Sequence, residues 1–565
     1  MKRIISAALL SGVVSASPAA YANGRFPNAQ HLREPAPGSI VVAGTYGLLL
    51  SGNAGADFQF VCESALFGKA LMGSWVDPLL ETLPDGTIIS GSQNGLRVSR
   101  DHGCSFSTDW KLPHDADFVG TGPDPNAPLG TVIDVCPGYD GPSSIVALTT
   151  LHASDGSIVE HRIYKSADAA TSWSALPISL AKTSINTVLT IDVAPSDPNR
   201  LYVSGSAAGQ SALAVSSDGG KSYSIHPIAI DDSEGVTGAY IAAVSKTNAD
   251  RVYVRVSRRS LADDGSETWD DSLLLSDDAG AHFRDVLRRR GALLGFALSP
   301  DGTTVLAGFG DPMVAPIVTS EDALGLYSAD SEALVFTQRV PNLAVSCLRW
   351  TSTGVYACAK ENDPLGTSSA DFHIGLSPGS EIPAQADDFK ALLKLRDVRG
   401  PLPWSDGMPN ACEAEWEATD PNGAQPSTCA AFNACTSSHA LSAGAIRCGA
   451  DVTSGGANAA FGGAASNTAG QASSAGGAAS GGANARGGNT SAPQGGAANG
   501  GALARGGGTS SAGVSATGQM SGTNNSSGCS CHFGSTTRGG SEAALAALIT
   551  GLLARRRRKN SRYAG

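Results

Sequence analysis

One short pattern recurs along the chain and limits it to a small set of folds. The pattern is Ser-x-Asp-x-Gly-x-(Ser/Thr)-aromatic, and its clearest copies begin at Ser99, Ser216 and Ser276, the last with His282 in the Ser/Thr position. A further copy begins at Ser166 and has Ala170 in place of the glycine. An internal repeat of this kind indicates a fold built from equivalent units rather than from one continuous sheet.

Weaker copies and a second repeated element extend the pattern. The weaker copies lie at residues 51–58, 327–336 and 376–389. The second element is a polar turn followed by a β-rich run, and it occurs at residues 83–91, 196–205, 247–256, 299–308 and 351–359. Together the two elements predict units of about fifty residues with four antiparallel strands, which is the size of a propeller blade.

Turn chemistry explains the residue types in the pattern. Asp101, Asp168, Asp218 and Asp278 are expected to accept hydrogen bonds from backbone N–H groups of their own turns. The glycine permits a positive φ where the chain reverses, and the aromatic side chain returns to the hydrophobic layer. Single aspartates in separate turns would not form one catalytic group. We therefore predict a structural role for them, with a catalytic role as the less favoured alternative.

The copies resemble the Asp-box, or BNR, repeat of sialidases, sortilin-type receptors and related propellers. The resemblance covers about residues 40–395. It implies an all-β fold with a single β-propeller at residues 28–400, and the repeat count predicts seven four-stranded blades, with six or eight as alternatives. Asp-box propellers include hydrolases, receptors and assembly factors, so the resemblance does not select a function.

The first residues have the features of a secretory signal peptide. Lys2 and Arg3 precede a short apolar run, and Ala20-Tyr21-Ala22 is a small-x-small site, so we expect residues 1–22 to be removed after Ala22. A short buried helix is the alternative. Export would permit disulfides among the 11 cysteines. The net charge of −12 argues against nucleic acid as a partner.

Cysteine spacing predicts several bridges within the propeller. Cys347 and Cys358 flank a predicted hairpin turn, which would place them opposite each other at a separation that suits a disulfide. Cys62 follows the first Asp-turn and Cys104 lies inside the second, so a link between adjacent blades is expected there. Cys136 has no evident partner in the sequence.

A small cysteine-rich segment is predicted at residues 401–452. It has little strand pattern and cannot bury much apolar surface, so two disulfides would hold it. Three pairings exist for its cysteines, which are Cys412, Cys429, Cys435 and Cys448. A zinc site is the alternative, although the segment has no Cys-x-x-Cys pair and export is expected.

Residues 453–527 are predicted to be a disordered stalk. They are almost only Gly, Ala, Ser, Asn, Thr and Gln, and they cannot bury enough apolar surface to offset the entropy of ordering. A flexible coil of this length has an r.m.s. reach of roughly 45–50 Å. Such a segment suits a tether.

The tail, residues 528–565, has the composition of a membrane-directed signal. Cys529 and Cys531 precede an apolar run at 543–554 and a basic cluster at 555–559. The run would measure about 18 Å as a helix, against roughly 30 Å of hydrocarbon, so it is short for a permanent span. The basic cluster would lie on the cytoplasmic side of the membrane.

The tail resembles the MYXO-CTERM sorting signal of myxobacterial surface proteins over residues 528–558. The resemblance implies cleavage near the cysteines and attachment at the cell surface through a modified Cys529. Ser530 stands where many members of the family carry glycine. An ordinary tail anchor is the alternative, and it would leave the location at the surface unchanged.

The sequence favours binding over catalysis. It contains no nucleophile elbow, His-Glu-x-x-His motif, phosphate loop or paired-carboxylate motif, and only residues 24–28 partly resemble an arginine-bearing motif of sialidases. We therefore predict a non-catalytic binding or adhesion propeller without cofactor or metal, whose ligand is a protein or a glycan. A sialidase-like or other glycan-active hydrolase is the alternative. Arginines and carboxylates that converge at one mouth of the central channel would favour the hydrolase.

Overall fold

The structure of the protein is a computed structural model. It describes residues 28–67, 78–92, 95–107, 129–152, 158–177, 179–180, 183–228, 235–261, 267–310, 324–361, 370–402 and 441–448, together with Cys412, Trp416, Cys429 and Ala434. The predicted signal peptide with Ala22, the stalk at 453–527 and the tail with Cys529 lie outside the described residues, and so does Cys435.

Nearly all regular structure among the described residues is β-strand, arranged in seven antiparallel sheets. Six sheets have four strands, and the second has three. A short helix, α1 (Glu63–Phe67), follows the first sheet, and two 3-10 turns, Ala386–Asp388 and Leu395–Asp397, accompany the last.

The strands follow one another in chain order within every sheet. The first sheet contains β1 (Ala29–Ala36), β2 (Ser39–Gly44), β3 (Gly47–Ser51) and β4 (Gln59–Val61). The second contains β5 (Leu79–Thr82), β6 (Ile88–Ser92) and β7 (Gly95–Ser99). The third contains β8 (Leu129–Pro137), β9 (Ile145–His152), β10 (Ile158–Ser166) and β11 (Ser174–Ala175).

The remaining sheets repeat this arrangement. The fourth contains β12 (Ile185–Ala194), β13 (Asp197–Ala207), β14 (Gln210–Ser216) and β15 (Ser224–Pro227). The fifth contains β16 (Gly235–Val244), β17 (Val252–Leu261), β18 (Glu267–Ser276) and β19 (Arg284–Arg290). The sixth contains β20 (Ala292–Leu298), β21 (Thr304–Gly310), β22 (Gly325–Asp330) and β23 (Thr337–Pro341). The seventh contains β24 (Val345–Trp350), β25 (Gly354–Ala359), β26 (Ile374–Pro378) and β27 (Lys390–Leu393).

Contacts between first strands arrange the sheets as a ring. The first strand of each sheet contacts that of the next, in the order β1, β5, β8, β12, β16, β20 and β24, and β24 contacts β1 again. Each sheet is therefore a blade whose first strand is innermost. The prediction of an all-β propeller with seven blades is confirmed. The fourth strand expected in the second blade would follow β7, where residues 108–128 lie outside the described part of the chain.

The core lies between adjacent blades, because each sheet is covered on both faces. In β3 the consecutive residues Leu48, Leu49 and Leu50 are all buried, although their side chains alternate between the two faces. Between the fifth and sixth blades, the rings of Tyr253 and Phe296 pack with their centroids 5.3 Å apart. Because both faces of a blade are buried, strands such as β3 have continuous apolar runs rather than alternating apolar and polar residues.

Side chains of one blade also satisfy backbone groups of the next. A first strand has one edge that no strand covers, and its free N–H groups need partners. The Asp134 carboxylate accepts a hydrogen bond from the Ile191 N–H of the fourth blade at 2.8 Å. The Thr190 hydroxyl in turn accepts one from the Ile241 N–H of the fifth blade at 3.0 Å. These bonds fix the position of each blade relative to its neighbour.

The seventh and first blades meet through a group of polar contacts. The Glu34 carboxylate of β1 accepts hydrogen bonds from the hydroxyls of Thr351, Thr353 and Tyr356 at 2.5, 2.9 and 2.8 Å. The Tyr46 hydroxyl lies 3.0 Å from His373 Nε2, and both residues are buried. The carboxylate and the buried pair therefore hold the closing contact of the ring.

After the seventh blade the chain returns along the outer edge of the first. The Phe60 N–H donates to the Gly400 carbonyl at 2.8 Å, and the Leu402 N–H donates to the Phe60 carbonyl at 2.8 Å, as in a parallel strand pair. The Trp416 ring packs on Phe60 at 5.3 Å. We call the described residues 399–402 and 441–448, with Cys412, Trp416, Cys429 and Ala434, the strap.

Disulfides join the strap to the first two blades. Cys62 is bonded to Cys412, and Cys104 is bonded to Cys448. The expected link between Cys62 and Cys104 is therefore wrong, and so is the expectation that Cys412 and Cys448 pair within their own segment. The reason is that the strap packs into the hydrophobic core of the first blade instead of forming a separate small unit.

The other cysteines occupy three environments. Cys347 and Cys358 form a disulfide between the paired strands β24 and β25. Cys429 is also disulfide-bonded. Cys136 is a buried cysteine outside the disulfides. The cysteines of the 401–452 segment that the structure describes are thus committed to disulfides.

His373 should make the stability of the fold depend on pH. Burial lowers the pKa of His373 from 6.5 to about 3. The unfolded chain takes up this proton near its ordinary pKa and the folded chain does not, so the free energy of unfolding should fall as the pH falls from about 6.5 towards 3. The contribution is about 1.4 kcal/mol per pH unit. Urea denaturation at several pH values should show a smaller slope for His373→Gln than for the wild type.

The partly exposed His226 provides a matched control. His226→Gln leaves the buried imidazole in place, so this variant should retain the wild-type slope. An unchanged slope in His373→Gln would contradict the assignment.

Candidate functional site

The predicted aspartates lie one to a blade and are not brought together. Asp101 follows β7, and Asp168 lies between β10 and β11. Asp218 and Asp278 occupy the same connection, between the third and fourth strands, in the fourth and fifth blades. We call these connections the Asp-turns. Their equivalent positions around the ring agree with a structural role.

The hydrogen bonds of one Asp-turn explain its residue types. The Ser216 hydroxyl donates to Asp218 Oδ1 at 2.8 Å and accepts from the Gly220 N–H at 2.9 Å. Asp218 Oδ1 accepts from the Ser222 N–H at 2.9 Å, and Oδ2 accepts from the Ser222 hydroxyl at 2.6 Å. The same set of bonds recurs in the other three strong copies, with the His282 imidazole in the place of the serine hydroxyl in the fifth blade.

These bonds keep the turn carboxylates ionised. The hydroxyl and N–H of Ser222 hold the pKa of Asp218 at about 2. Ser172 has the same effect on Asp168, and His282 has it on Asp278, so that both pKa values lie at about 2. Both oxygens of each carboxylate are therefore engaged within the turn, which leaves them poorly suited to proton transfer.

In six of the blades the turn between the third and fourth strands is also bonded to the first hairpin of the same blade. The Gly219 N–H donates to the Asn199 carbonyl at 3.0 Å. The equivalent bond joins Ala54 to Gly38, Ala169 to Ser143, Ala279 to Asp250, Ser331 to Thr303 and Gly379 to Thr353. The turn thus ties together the two halves of a blade.

The first blade has a variant turn that receives the strap. Asn53 stands where the strong copies have aspartate, and Asp57 stands where they have serine or histidine. The Asp57 carboxylate accepts from Arg399 Nε at 2.8 Å and from the Ser442 N–H at 2.8 Å. Burial opposes its ionisation, but the bonds from Ser442, Arg399 and Asn53 outweigh burial and lower the pKa of Asp57. The displaced carboxylate therefore binds the strap.

The two faces of the ring differ in their connections. The Asp-turns and the turns between first and second strands lie on one face. On the other, which we call the loop face, the chain passes from second to third strands and from each blade to the next. The connections from Gly310 to Gly325 and from Ala359 to Ile374 belong to the loop face. Much of this face lies outside the described residues.

The fifth blade carries a group of paired charges that spreads over β17, β18 and β19. Register places Arg258 opposite Asp270 and Arg289 opposite Asp271 on the paired strands β17, β18 and β19. Six residues form what we call the blade-5 cluster: Arg255, Arg258, Asp270, Asp271, Asp285 and Arg288.

One half of the cluster is buried against the sixth blade. Arg255 Nη1 lies 3.5 Å from Asp271 Oδ2, and the two side chains are 8% and 2% exposed. Asp271 also accepts from the Leu293 N–H at 2.8 Å. Burial raises the pKa of Asp271 despite the nearby Arg255 guanidinium, which lies 4.6 Å from the centre of the Tyr240 ring. This half serves as a contact between blades.

The other half of the cluster is more accessible. Arg258 Nη2 lies 3.7 Å from Asp285 Oδ2, and Arg288 Nη2 lies 3.2 Å from Asp270 Oδ2. Arg258 is buried, whereas Asp285 and Arg288 are 41% and 39% exposed. An arrangement of this kind can exchange an internal ion pair for a charged or hydroxylated ligand. Sequence analysis missed these residues, although the adjacent arginines of β17 and β19 and the adjacent aspartates of β18 were a visible signal.

The described residues show neither a metal site nor a membrane span. Within the ranges given above, no three His, Cys, Asp or Glu side chains are grouped so that they could hold a metal ion. No helix in the described part of the chain is both long and apolar enough to cross a bilayer.

Comparisons with known proteins find distant likenesses of structure only. No family model matches the sequence, and no curated protein matches it. A Dyadobacter fermentans protein of unknown function is 15% identical, with a TM-score of 0.31 over 62% of this chain and 92% of that one. The NanB sialidase of Streptococcus pneumoniae is 12% identical, with a TM-score of 0.30 over 55% of this chain and 68% of that one.

An ancestral GH74 enzyme is 14% identical, with a TM-score of 0.30 over 51% of this chain. The present chain covers only 36% of the length of that enzyme. Likenesses at this level carry no argument about function.

Each Asp-turn contains two consecutive residues with positive φ, and this backbone conformation predicts how substitutions there change the stability of the fold. Gly219 and Gly220 have φ of 72° and 82°, and Ala169 and Ala170 have φ of 55° and 61°. Because alanine is strained there, Ala170→Gly should raise the free energy of unfolding by about 0.5–1 kcal/mol. Gly220→Ala should lower it by at least about 1 kcal/mol, since its Cβ would lie 2.7 Å from Leu176 Cδ1. Urea denaturation measures both changes, and equal effects of the same sign would contradict the explanation.

Proposed function

We propose that the chain is an exported binding module, a non-catalytic propeller that presents its loop face to a protein or a glycan. The observation that carries the proposal is the pairing of charges in the blade-5 cluster and in the Asp-turns. Asp270, Asp271 and Asp285 each lie beside an arginine, and the turn aspartates are engaged by their own backbone.

A glycan hydrolase needs two carboxylates with different protonation states, one to donate a proton and one to act as base or nucleophile. The exposed side of the blade-5 cluster supplies Asp270 and Asp285, each with an arginine partner. This arrangement favours ligand binding.

The difference between the two faces supports the same proposal. Binding residues are commonly placed on loops that a rigid scaffold positions. In this protein six turns on the Asp-turn face are bonded to the first hairpins of their own blades, whereas the long connections after Gly310 and Ala359 belong to the loop face. The loop face is therefore the better candidate for recognition.

The disulfides support export. Bridges such as Cys62–Cys412 and Cys104–Cys448 persist in oxidising compartments and are rare in the cytosol of mesophiles. They fit the signal peptide that the sequence predicts at residues 1–22. We also propose that the repeats are of the Asp-box type, and the recurrent turn geometry at residues 99–106, 166–173, 216–223 and 276–283 supports this part of the proposal.

The proposal places the propeller on the cell surface. Residues 453–527 would form the tether, and residues 528–565 would direct the chain to the membrane, with Cys529 as the point of attachment. The support for this step is the sequence pattern of a low-complexity stalk, paired cysteines, a short apolar run and a basic cluster.

A glycan-active hydrolase of sialidase-like type is the second candidate. The observation that favours it is the partial exposure of Asp285 and Arg288 in β19, with Arg258 and Asp270 beside them. Arginines and carboxylates do converge in the fifth blade, although as mutual pairs.

Binding and turnover can be compared directly on the full chain. We expect retention of the protein on a subset of a glycan array or a panel of surface proteins, without release of product from fluorogenic sialosides and other glycosides. Arg288→Ala should weaken retention at least several-fold, because it removes an accessible cation from the blade-5 cluster. Asp301→Asn, in a turn on the Asp-turn face, is the matched control and should bind like the wild type. Turnover that Asp285→Asn abolishes would establish the hydrolase instead.

The surface location has its own test in the native host. Cys529→Ala should release the protein into the medium or leave it unprocessed in the inner membrane, whereas Ser530→Ala should reach the surface normally. Cell fractionation followed by peptide mass spectrometry gives the readout. Intact peptides spanning residues 555–558 in surface-located protein would show that the tail is retained as an ordinary anchor.

A further inference from the structure

We infer that the Cys104–Cys448 disulfide bears the mechanical load between tether and ring, so that tension on the stalk bypasses the strap and the seventh blade. The inference deepens the proposed function and rests on it for the presence of a tether. It follows from where the disulfide joins the chain, from what holds the strap otherwise, and from how Cys104 is supported.

The position of Cys448 defines the path of the force. Cys448 is the last described residue before the low-complexity segment at 453–527. Tension from that segment therefore reaches Cys448 before any other described residue. Through the disulfide it passes directly to Cys104 in the second blade, 344 residues earlier in the chain.

Without this bond, the described end of the strap would be held by noncovalent contacts alone. The Ser442 N–H donates to Asp57 at 2.8 Å, and Asn53 Nδ2 donates to the Ala443 carbonyl at 3.4 Å. Ile446 packs, partly buried, against the core of the first blade. A pull on the C-terminal side would load these contacts one after another, so the strap would peel away from its end.

The other end of the disulfide is well supported. Cys104 is buried inside the Asp-turn of the second blade, and its N–H donates to the Asp101 carbonyl at 3.3 Å. The Ser99 hydroxyl bonds to Asp101 Oδ1 at 2.8 Å and accepts from the Gly103 N–H at 2.7 Å. The force thus enters the ring at a turn that is closed by its own hydrogen bonds.

A second disulfide lies behind the first. Cys62–Cys412 joins the strap to the chain directly after β4, at the outer edge of the first blade. If the Cys104–Cys448 bond is opened, peeling should stop at Cys412. The Cys62–Cys412 bond therefore carries load only after the Cys104–Cys448 bond is opened, and it then protects the parallel pairing of residues 399–402 with β4.

Single-molecule extension of the purified full chain tests the inference. One handle is attached at the exposed Lys221 of the fourth blade and the other at the C-terminus. The wild type should show only the smooth extension of the stalk before the blades unfold. In Cys104→Ser/Cys448→Ser an added low-force step of about 115–125 Å should precede blade unfolding, because roughly 35 residues lie between Cys412 and Cys448, at roughly 3.3–3.6 Å each.

The disulfide of the seventh blade supplies the matched control. Cys347→Ser/Cys358→Ser removes a bridge that spans only 11 residues within one hairpin and lies off the path, so the early step should be absent. If the main variant fails to fold, folded wild type treated with a phosphine reductant, which reduces each disulfide to two thiols and is itself oxidised, should give a longer early step of about 150 Å.

Two results would overturn the inference. One is identical traces for the wild type and Cys104→Ser/Cys448→Ser, and the other is an early step in the untreated wild type. The experiment uses purified protein and measures only the path of force. Its outcome is therefore separate from that of the binding and localisation tests, and failure of the surface proposal would leave the measured path unchanged.

Discussion

The closing contact between the seventh and first blades is the constraint on which the rest of the structure depends. Every other pair of neighbouring blades is also joined by the chain running from one to the next. The four strands of the first blade come from one continuous stretch, so no strand from the far end of the chain completes it. Closure relies instead on packing of β24 against β1, on the three hydroxyls around Glu34, and on the strap.

The variant turn of the first blade shows how a repeat is adapted to this need. Asn53 and Asp57 stand in place of the usual aspartate and serine. The carboxylate of this turn therefore lies four residues later in the sequence than in the other copies. The amide of Asn53 retains the local bonds of the turn, and the carboxylate becomes free for Arg399 and Ser442. The turn thereby binds the strap and still keeps its own hydrogen bonds.

The fold could be predicted from local sequence patterns, whereas contacts between residues far apart in the sequence could not. The Asp-turns and polar turns are each contained within about ten residues, so their strands and the blade number could be predicted. The bridge between Cys347 and Cys358 lies within a hairpin and was anticipated from spacing. The pairings of Cys62 and Cys104 depend on how the strap lies on the first blade. No local sequence pattern predicts that position. The blade-5 cluster was missed because the register that sets Arg258 against Asp270 is unknown before the strands are paired.

The long-range disulfides also bear on the order of assembly. Blades are built from contacts between residues close in sequence, and such contacts form early in folding. Cys62–Cys412 and Cys104–Cys448 join residues separated by 350 and 344 positions. They therefore cannot form until all seven blades have emerged and the last lies beside the first. Oxidation of these pairs would mark a completed ring, so a chain that stalls partway through folding would be recognisable by its free thiols.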